Sequence, residues 1–368
     1  MTVGVLKEGD GENRVVLLPE HVTSLVKKSI SVMVEKDAGR SSFASDKEYT
    51  EAGATMGSRA EILKKSDVIF SIQAPVEKIP EGKVLIAILS PLVNKSVVEE
   101  LAKSGVNSFS LDMIPRSTRA QAVDVLSSMA TVAGYKAVLV AAGKLPKFFP
   151  MIMSASGTIK PSRVLILGAG VAGLQALATA RKLGAVVEVF DVRTAVKEEV
   201  LSLGGKFVEV EGSTDDADAG GYAVEQSDEY KKKQGALIQE RASQSDVIIT
   251  TAQIPGRRAP ILIQKETVEL MKPGSVIIDL ASSTGGNCEL TKDRESVVHS
   301  DVTIIGNSNL ASTTPSDASK MLGKNFLNYF DLMIDDEGKL DLEVEDEIVQ
   351  HTCITRNGEV VNDRVKGA

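Results

Sequence analysis

The sequence predicts an α/β protein made of two doubly wound domains joined by long helices, with the first domain discontinuous. Short apolar, β-branched runs alternate with helical patterns, which is typical of parallel sheets covered by helices on both faces. Two stretches of the chain echo each other in sequence. Two long helical patterns, residues 117–143 and 316–333, stand where the chain would pass between domains.

Composition limits the class of protein before any motif is considered. The chain has 368 residues, of which 43% are hydrophobic, so it can bury a large core and is long enough for two domains. Its 42 Lys and Arg against 50 Asp and Glu give a net charge of −8, which argues against electrostatic binding to nucleic acid or anionic lipid.

The cysteines and the apolar runs add two further expectations. Cys288 and Cys353 have no CxxC spacing and no neighbouring histidine, so we expect free thiols in a reducing compartment, with neither a disulfide framework nor a metal site. The N-terminal residues lack the apolar stretch of a signal peptide, and runs such as VLIAIL are too short to span a bilayer. The isolated chain is therefore expected to be soluble.

The internal echo concerns two pairs of candidate strands. SDVIFSIQAP at 66–75 resembles SDVIITTAQIP at 245–255, and each is followed by a second run, KVLIAIL at 83–89 and SVIIDL at 275–280. Duplication of one α/β domain explains the echo most simply, and convergent strand composition is the alternative.

Two bridging helices set the predicted domain boundaries. Residues 117–143 are alanine-rich without proline and predict one long helix that stops at Gly143, and Ser316 is the predicted N-cap of the second. If the second helix returns to the first domain, the domains comprise residues 1–125 with 316–368, and residues 126–315. Asn357-Gly358 predicts a hairpin in the tail.

A glycine-rich motif carries the strongest chemical signal. Gly168, Gly170 and Gly173 follow the strand VLIL and open a helix, and a second strand ends at Asp191, which is the Rossmann dinucleotide-binding context. A carboxylate at that point favours NAD(H) over NADP(H). A tight strand–helix turn without nucleotide is the alternative. The predicted cofactor-binding set here is Gly168, Gly170, Val171, Ala172, Gly173, Asp191, Val192 and Arg193.

The first bridging segment carries a polar stripe that an ordinary solvated face, rich in Lys and Glu, would not show. Its members recur at helical spacing and are Gln121, Asp124, Ser128, Thr131 and Tyr135. With Arg116 and Ser127 nearby, the stripe predicts the lining of a cleft that holds a carboxamide, although a merely exposed stripe is the other interpretation.

The histidines offer no proton carrier for such a cleft. His21 stands at a probable helix start, His299 precedes a strand and His351 falls in the predicted tail hairpin. Each is expected to be structural or solvent-facing.

Four segments together closely resemble one protein family. They are MIPRSTRAQAVDVLSSMATVAGYKAV, FFPMIMSASGTIKPSRVLILGAGVAGLQA, GGYAVE and GNSNLAS. They are similar to the NAD(H)-binding component, domain I of the alpha subunit, of proton-translocating nicotinamide nucleotide transhydrogenases, a family related to alanine dehydrogenase. The resemblance covers essentially the whole chain.

The resemblance implies a function and a set of partners. It implies a homodimeric, peripheral module on the cytoplasmic side of a membrane (the matrix side in a mitochondrion), beside a membrane-spanning proton-channel domain and an NADP(H)-binding domain. Hydride would pass directly between NADH and NADP⁺. It also implies that Arg116, Gln121 and Asp124 form the family's Arg-Gln-Asp loop. Ser127 would lie beside the nicotinamide, and Tyr135 and Tyr222 would be the cleft and mobile-loop tyrosines.

The acidic segment 211–234 acquires a meaning from this resemblance. It is almost without aliphatic side chains and carries Tyr222 behind Gly220 and Gly221. It resembles a mobile lid, whose glycines would allow hinge motion while its charges solvate the open form. A surface insertion without function is the alternative.

An alanine dehydrogenase-like amino-acid oxidoreductase is the main competing function. By resemblance, that enzyme needs an arginine, a lysine and a histidine in its first domain. Arg14 is present, but Gln73 and Ser90 stand where the lysine and histidine belong. A non-catalytic NAD-sensing module is a third hypothesis. The apolar run FFPMIM at 148–153 would suit a contact with a partner.

Overall fold

The computed structural model describes residues 1–210, 228–254, 256–335 and 337–367. The chain divides into two compact units, Met1–Met129 with Ser312–Ala368, and Ala130–Ala311. The division expected from sequence was 1–125 with 316–368, and 126–315.

The elements follow one another in chain order. The strands before residue 130 are β1 (Thr2–Val5), β2 (Ser31–Glu35), β3 (Thr55–Gly57), β4 (Val68–Phe70), β5 (Val84–Ala87) and β6 (Asn107–Ser110). The helices that begin there are α1 (Pro19–Lys27), α2 (Asp46–Glu51), α3 (Arg59–Lys65), α4 (Lys95–Lys103) and α5 (Val125–Lys144).

The second unit and the tail contain the remaining elements. The strands of the second unit are β7 (Ile152–Ser154), β8 (Gly157–Ile159), β9 (Arg163–Leu167), β10 (Val186–Phe190), β11 (Lys206–Phe207), β12 (Val247–Thr250), β13 (Val276–Asp279), β14 (Glu295–His299) and β15 (Val302–Gly306). Its helices are α6 (Val171–Lys182), α7 (Lys197–Ser202), α8 (Asp228–Gln244) and α9 (Lys265–Leu270). The tail contains α10 (Pro315–Phe330), α11 (Glu347–Thr352), β16 (Cys353–Arg356), β17 (Glu359–Val360) and α12 (Asp363–Lys366).

The two main sheets have the same order of parallel strands, β6-β5-β4-β1-β2-β3 in the first and β15-β13-β12-β9-β10-β11 in the second. The complete orders include antiparallel strands as well. The first is ordered β17-β16-β6-β5-β4-β1-β2-β3 and the second β11-β10-β9-β12-β13-β15-β14. Strands β1 to β6 pair in parallel, as do those of the second sheet except β14. The direction of winding reverses beside β1 in the first sheet and beside β9 in the second, which is the doubly wound arrangement. The predicted fold class is confirmed.

The sequence echo falls on equivalent strands. SDVIF supplies β4, which lies beside β1, and SDVII supplies β12, which lies beside β9. The runs that follow each echo supply β5 and β13, the next strands outward.

The central strands of each sheet are buried on both faces, which explains why β4, β5, β12 and β13 are almost continuously apolar. In β4, Val68 and Phe70 contribute to one core layer while Ile69 contributes to the opposite one. Helix α10 covers the layer that contains Val68 and Phe70. The Phe70 ring packs edge-to-face against Phe326 and Phe330, with ring centroids 5.5 Å and 5.3 Å apart. The chain therefore returns to the first unit, as the bridging pattern predicted.

The first bridging helix begins later than predicted. Residues Arg119–Val123 form a 3₁₀ turn, Asp124 is extended with φ −73° and ψ 92°, and α5 starts only at Val125. A short carboxylate side chain favours the cap of a helix over its interior, because it can accept the free N–H groups of the first turn. The helix also runs one residue past Gly143, the predicted stop, to Lys144.

Helix α5 is also, among the described residues, the helix that is long and apolar enough to cross a membrane. Its Ala137, Val138 and Ala141 are buried in the core of the second unit.

The second bridging helix has a different cap from the one predicted. Helix α10 begins at Pro315, so its N-cap is Thr314, and Ser316 lies in the first turn, where its hydroxyl donates to the Ser42 carbonyl. Proline at the first helical position has a suitable φ and needs no hydrogen-bond partner for its nitrogen.

The predicted hairpin in the tail is confirmed, but His351, which was expected to lie in it, lies outside it. Asn357 and Gly358 have φ of 49° and 86° and join the antiparallel strands β16 and β17. His351 instead lies in α11. His21 is buried at the start of α1 and accepts the N–H of Leu18, and His299 contacts Glu269 at 3.0 Å.

Both cysteines are free, as the sequence predicted, and both are buried. Burial raises the pKa of the Cys288 thiol to about 11, so it is protonated and unreactive at neutral pH. In the described part of the chain, no group of three or more His, Cys, Asp or Glu side chains is arranged to hold a metal ion.

Candidate cofactor-binding site

The turn between β9 and α6 owes its shape to two glycines. Gly168 has a φ of 106°, and a Cβ there would lie 2.4 Å from Thr251 Oγ1. A Cβ on Gly173 would lie 1.9 Å from the Gly168 carbonyl oxygen. Since neither gap admits a side chain, the chain can reverse this tightly only with glycine at both positions.

Gly170 serves a different purpose, because a Cβ there would meet nothing within 4 Å. It is the N-cap of α6, whose first N–H groups form the positive end of a helix of 12 residues. Val171 and Ala172 follow in the first turn, and Val171 is exposed. Open space at a glycine-capped helix N-terminus fits a pyrophosphate approaching the backbone.

Asp191 connects the end of β10 to this turn. One carboxylate oxygen, Oδ2, accepts the N–H of Ala169 at 2.7 Å. The same carboxylate binds Arg193 through Nε at 2.9 Å and Nη2 at 2.8 Å, and accepts its main-chain N–H at 2.9 Å. These hydrogen bonds raise the pKa of Arg193, which stays charged. Val192, between them, packs against the core.

Helix α5 packs closely against the glycine turn. A Cβ on Gly134 would lie 2.1 Å from the Ala172 carbonyl oxygen, so only glycine permits this approach. The next residue, Tyr135, is 42% exposed. The second unit therefore presents Tyr135, the glycine turn and the Asp191–Arg193 pair.

The predicted catalytic residues Arg116, Gln121, Asp124 and Ser127 belong to the first unit, and two of them are hydrogen-bonded to each other. Asp124 accepts the Ser127 N–H at 2.9 Å and the Ser127 hydroxyl at 2.5 Å. Arg116 and Gln121 are exposed, and Gln121 belongs to the 3₁₀ turn. The predicted polar stripe is thus wrong at Gln121 and Asp124, which precede the helix, and follows helical spacing only over Ser128, Thr131 and Tyr135.

The predicted lid is only partly described. Tyr222 and the rest of 211–227 lie outside the described residues. Residues 228–234, which the sequence pattern assigned to the loop, form the first turns of α8. The correction reflects the run EYKKKQ, whose residues favour helix.

Sequence reasoning missed a group of residues beside the glycine turn. Thr251 Oγ1 donates to the carbonyls of Leu167 at 3.3 Å and Gly168 at 3.1 Å. Behind Thr251 lie Asp279 and Asn287, both fully buried. Their position in the sheet could have indicated them. Thr251 follows β12 and Asp279 ends β13, which are the next two strands beyond β9 in the sheet, and ligands bind at the carboxyl ends of such strands.

The corresponding edge of the first unit is filled by its own side chains. Glu8 accepts the N–H groups of Ile72 at 2.6 Å and Gln73 at 3.3 Å, and burial raises its pKa to about 7. Arg14 binds Glu12 through Nε at 2.8 Å and Nη2 at 2.5 Å. Burial opposes ionisation of Glu12, yet its hydrogen bonds with Arg14 lower its pKa overall.

Comparisons with known proteins agree with this architecture. Residues 4–133 match the family model described as alanine dehydrogenase/PNT, N-terminal domain, and residues 137–363 match its C-terminal domain. The first part of the NAD(P) transhydrogenase subunit alpha of Rhodospirillum rubrum is 44% identical, over 100% of this chain and 99% of the relative. The NAD(P) transhydrogenase subunit alpha of Haemophilus influenzae is 39% identical, over 98% of this chain and 72% of the relative.

A solved structure gives the same result. The transhydrogenase from Sinorhizobium meliloti superimposes with a TM-score of 0.90 and 41% identity, over 98% of this chain and 100% of that structure. The chain belongs to the alanine dehydrogenase/PNT family, as a relative of the alpha subunits of NAD(P) transhydrogenases.

Proposed function

We propose that this chain is the NAD(H)-binding component of a proton-translocating nicotinamide nucleotide transhydrogenase. Family membership supports an oxidoreductase component that binds NAD(H). The observation that carries the proposal is the glycine turn, with open space at Gly170 and Asp191 bonded to the Ala169 N–H. In this role, NADH on this chain exchanges hydride directly and reversibly with NADP⁺ on a partner domain.

The second unit supplies the residues that would hold NAD(H). The first N–H groups of α6, at Val171 and Ala172, would bind the pyrophosphate, and Asp191 would accept from the adenosine ribose hydroxyls. A bound nicotinamide supplies hydride chemistry. Tyr135 and the lid residue Tyr222 complete the proposed binding set.

The catalytic residues we propose are Arg116, Gln121, Asp124 and Ser127. None of the four has to carry a proton, because direct hydride transfer between two nicotinamides releases none. Their proposed work is to orient the ring, which must reach a near-attack separation of about 3–3.5 Å from its partner. The Asp124–Ser127 contacts already fix the Ser127 hydroxyl, and exclusion of water protects the exchange.

An alanine dehydrogenase activity is disfavoured by the first unit. Arg14, which would have to bind a substrate carboxylate, is buried and held at two points by Glu12. Gln73 and Ser90 replace the expected lysine and histidine. A site in this state would lack both the available cation and the proton carrier that amino-acid oxidation requires.

The remaining parts of the proposal concern partners and location. We propose a homodimer that sits as a peripheral module on the cytoplasmic or matrix side of a membrane. There it would contact an NADP(H)-binding domain and a membrane-spanning proton-channel domain. The apolar run that leads into the hairpin of β7 and β8 supports an interface between copies, since Phe148, Met151 and Met153 are exposed, Met153 at 72%.

Reconstitution tests the proposal. The chain is mixed with an NADP(H)-binding partner domain, and hydride transfer is followed between NADH and an NADP⁺ analogue with a shifted absorbance. Transfer that requires both proteins supports the proposal. Tight NADH binding without transfer to that partner would instead indicate an NAD-sensing module, and absence of NADH binding would refute both.

A further inference from the structure

We propose that Asn287 and Asp279 are positioning residues that hold the segment Thr251–Gln253 in place at the nicotinamide side of the dinucleotide site. The inference rests on the proposed binding of NAD(H) by the second unit. All the contacts that carry it lie within that unit.

The Asn287 side chain forms hydrogen bonds with both the N–H and the carbonyl of Ala252. Its side-chain Nδ2 donates to the carbonyls of Ala252 at 2.9 Å and Pro260 at 2.8 Å, while its Oδ1 accepts the Ala252 N–H at 3.0 Å. The side chain is fully buried and uses both of its donors and its acceptor. An amide bonded at both ends of one residue fixes the path of that residue's main chain.

Asp279 in turn fixes Asn287. Its Oδ2 accepts the N–H groups of Asn287 at 2.7 Å and Cys288 at 3.0 Å, and the Thr291 hydroxyl at 2.7 Å. Its Oδ1 accepts the Ala281 N–H at 3.0 Å. Gly286 has a φ of 79°, and a Cβ there would lie 2.8 Å from Asp279 Oδ2, so the loop can close over this carboxylate only with glycine at that position.

The segment that Asn287 holds lies directly against the glycine turn. Thr251 donates its N–H to the Leu167 carbonyl at 2.9 Å and its hydroxyl to the Gly168 carbonyl at 3.1 Å. Gln253 Nε2 donates to the Leu280 carbonyl at 3.2 Å. Asp279 and Asn287 are thus connected to the glycine turn through the segment Thr251–Gln253.

Sheet order assigns this segment to one half of the dinucleotide. Asp191 follows β10, which lies on one side of β9, whereas Thr251–Gln253 follows β12 on the other side. A dinucleotide crosses the carboxyl edge of such a sheet with its adenosine toward the acidic residue and its pyrophosphate at the glycine turn. The segment after β12 therefore faces the nicotinamide half.

The test compares NADH with 5′-AMP, which carries only the adenosine half. In Asn287→Ala, we expect the Kd for NADH to rise about tenfold while the Kd for AMP stays within about twofold. A merely structural role would weaken both ligands together. Equal weakening of NADH and AMP, or no change in either, overturns the inference.

Asn362 provides a matched control in the first unit. It is also buried, and its Nδ2 also donates to two carbonyls, those of His351 at 2.9 Å and Cys353 at 3.2 Å. Asn362→Ala should lose stability as Asn287→Ala does, without changing the Kd of either ligand. A comparable loss of NADH affinity in this control contradicts the assignment to Asn287.

Hydrogen exchange provides a readout that needs no ligand. In Asn287→Ala, the amide of Ala252 should exchange at least about tenfold faster, while the amide of Gly168, which donates to the Phe190 carbonyl, should not change. Unchanged exchange at Ala252 refutes the positioning role even if NADH affinity falls. If the wild-type chain bound no NADH, the proposed function would fail, and exchange would still decide this inference.

Thr251→Val serves if Asn287→Ala does not fold, since it keeps the side-chain shape and removes only the hydroxyl contacts with the Leu167 and Gly168 carbonyls. In this variant the Kd for NADH should rise about threefold, while the Kd for AMP should not change. Unaltered NADH affinity in this variant overturns the inference.

Discussion

Arg193 and Asp191 form a two-point ion pair in which Nε donates to Oδ1 at 2.9 Å and Nη2 donates to Oδ2 at 2.8 Å. Because Oδ2 also accepts the Ala169 N–H, the carboxylate stands at the glycine turn with a cation behind it. The pair joins the two features that should decide between NAD(H) and NADP(H).

We predict that wild-type protein binds NADH much more tightly than NADPH, because in the proposed binding mode the Asp191 carboxylate would face and repel a 2′-phosphate. Asp191→Asn should weaken NADH about tenfold and reduce the preference, since Arg193 can then attract the phosphate. Fluorescence titration of both nucleotides at fixed salt measures this. Adding Arg193→Ala should remove the gained NADPH affinity, and equal wild-type affinities would contradict the assignment.

Two glycines of the glycine-rich motif, Gly170 and Gly173, should respond differently to substitution by alanine. Gly170→Ala should fold with unchanged stability, since its Cβ meets nothing, yet bind NADH at least about tenfold more weakly because the methyl group occupies space needed by pyrophosphate. Gly173→Ala should instead destabilise the second unit by about 2 kcal/mol or more, because its Cβ would overlap the Gly168 carbonyl oxygen. Urea unfolding and NADH titration of both variants separate the effects. Normal NADH binding by Gly170→Ala would sink the pyrophosphate assignment.

The proposed catalytic residues should affect rate more than binding. Gln121→Asn or Asp124→Asn should lower the hydride-transfer rate at least about tenfold, or about 1.4 kcal/mol of transition-state stabilisation, with only a few-fold change in NADH affinity. Stopped-flow transfer in the reconstituted complex measures the rate.

Since Asp124 also caps α5, a capping control is needed. Asp346 caps α11 through the N–H groups of Ile348 and Val349, so Asp346→Asn should lose stability without losing rate. A wild-type rate in both cleft variants, or a loss of rate matched by a loss of binding, rules out the catalytic assignment.

Glu8 should make the first unit less stable as pH rises. Its folded pKa of about 7 exceeds the ordinary value of 4.5 because it is buried, although the hydrogen bonds from the Ile72 and Gln73 N–H groups oppose the rise. The folded state therefore binds the proton more tightly, so stability falls between about pH 4.5 and 7 and is level above. The contribution is about 3 kcal/mol. Glu8→Gln should gain stability relative to wild type between pH 5 and 8, measured by urea unfolding.

Glu61 supplies a control of opposite sign. Its pKa is lowered to about 2, chiefly by the Ser58 N–H, so its contribution is present above pH 4.5 and disappears only in acid. Glu61→Gln should therefore lose stability relative to wild type across pH 5 to 8, with little change over that range. Parallel pH profiles for wild type and Glu8→Gln would refute the assignment to Glu8.

We predict no alanine-dependent reduction of NAD⁺ by the purified chain, because Glu12 occupies the Arg14 guanidinium and no lysine or histidine stands at positions 73 and 90. Absorbance of NADH at saturating alanine checks this, with an authentic alanine dehydrogenase as the positive control. A robust signal would restore the competing function.

The sequence alone determined the parts of this protein that depend on local pattern. Continuous apolar runs predicted the central strands of both sheets, because strands buried on two faces have no polar side. The spacing of Gly168, Gly170 and Gly173 predicted the turn, since its shape depends on the absence of side chains at given steps along the chain. Asn357-Gly358 predicted its hairpin for the same local reason.

Tertiary structure decided which polar groups lie close together and which of them are buried away from water. Helical spacing predicted that Gln121 and Asp124 lie on a long helix. In the structure Asp124 accepts the Ser127 N–H as a cap, so the helix begins only at Val125. No pattern indicated that Asn287 would bind Ala252, or that Glu12 would claim Arg14 after both were buried. Hydrogen bonds inside a protein form between groups that the fold brings together and removes from water, so their partners depend on the packed structure.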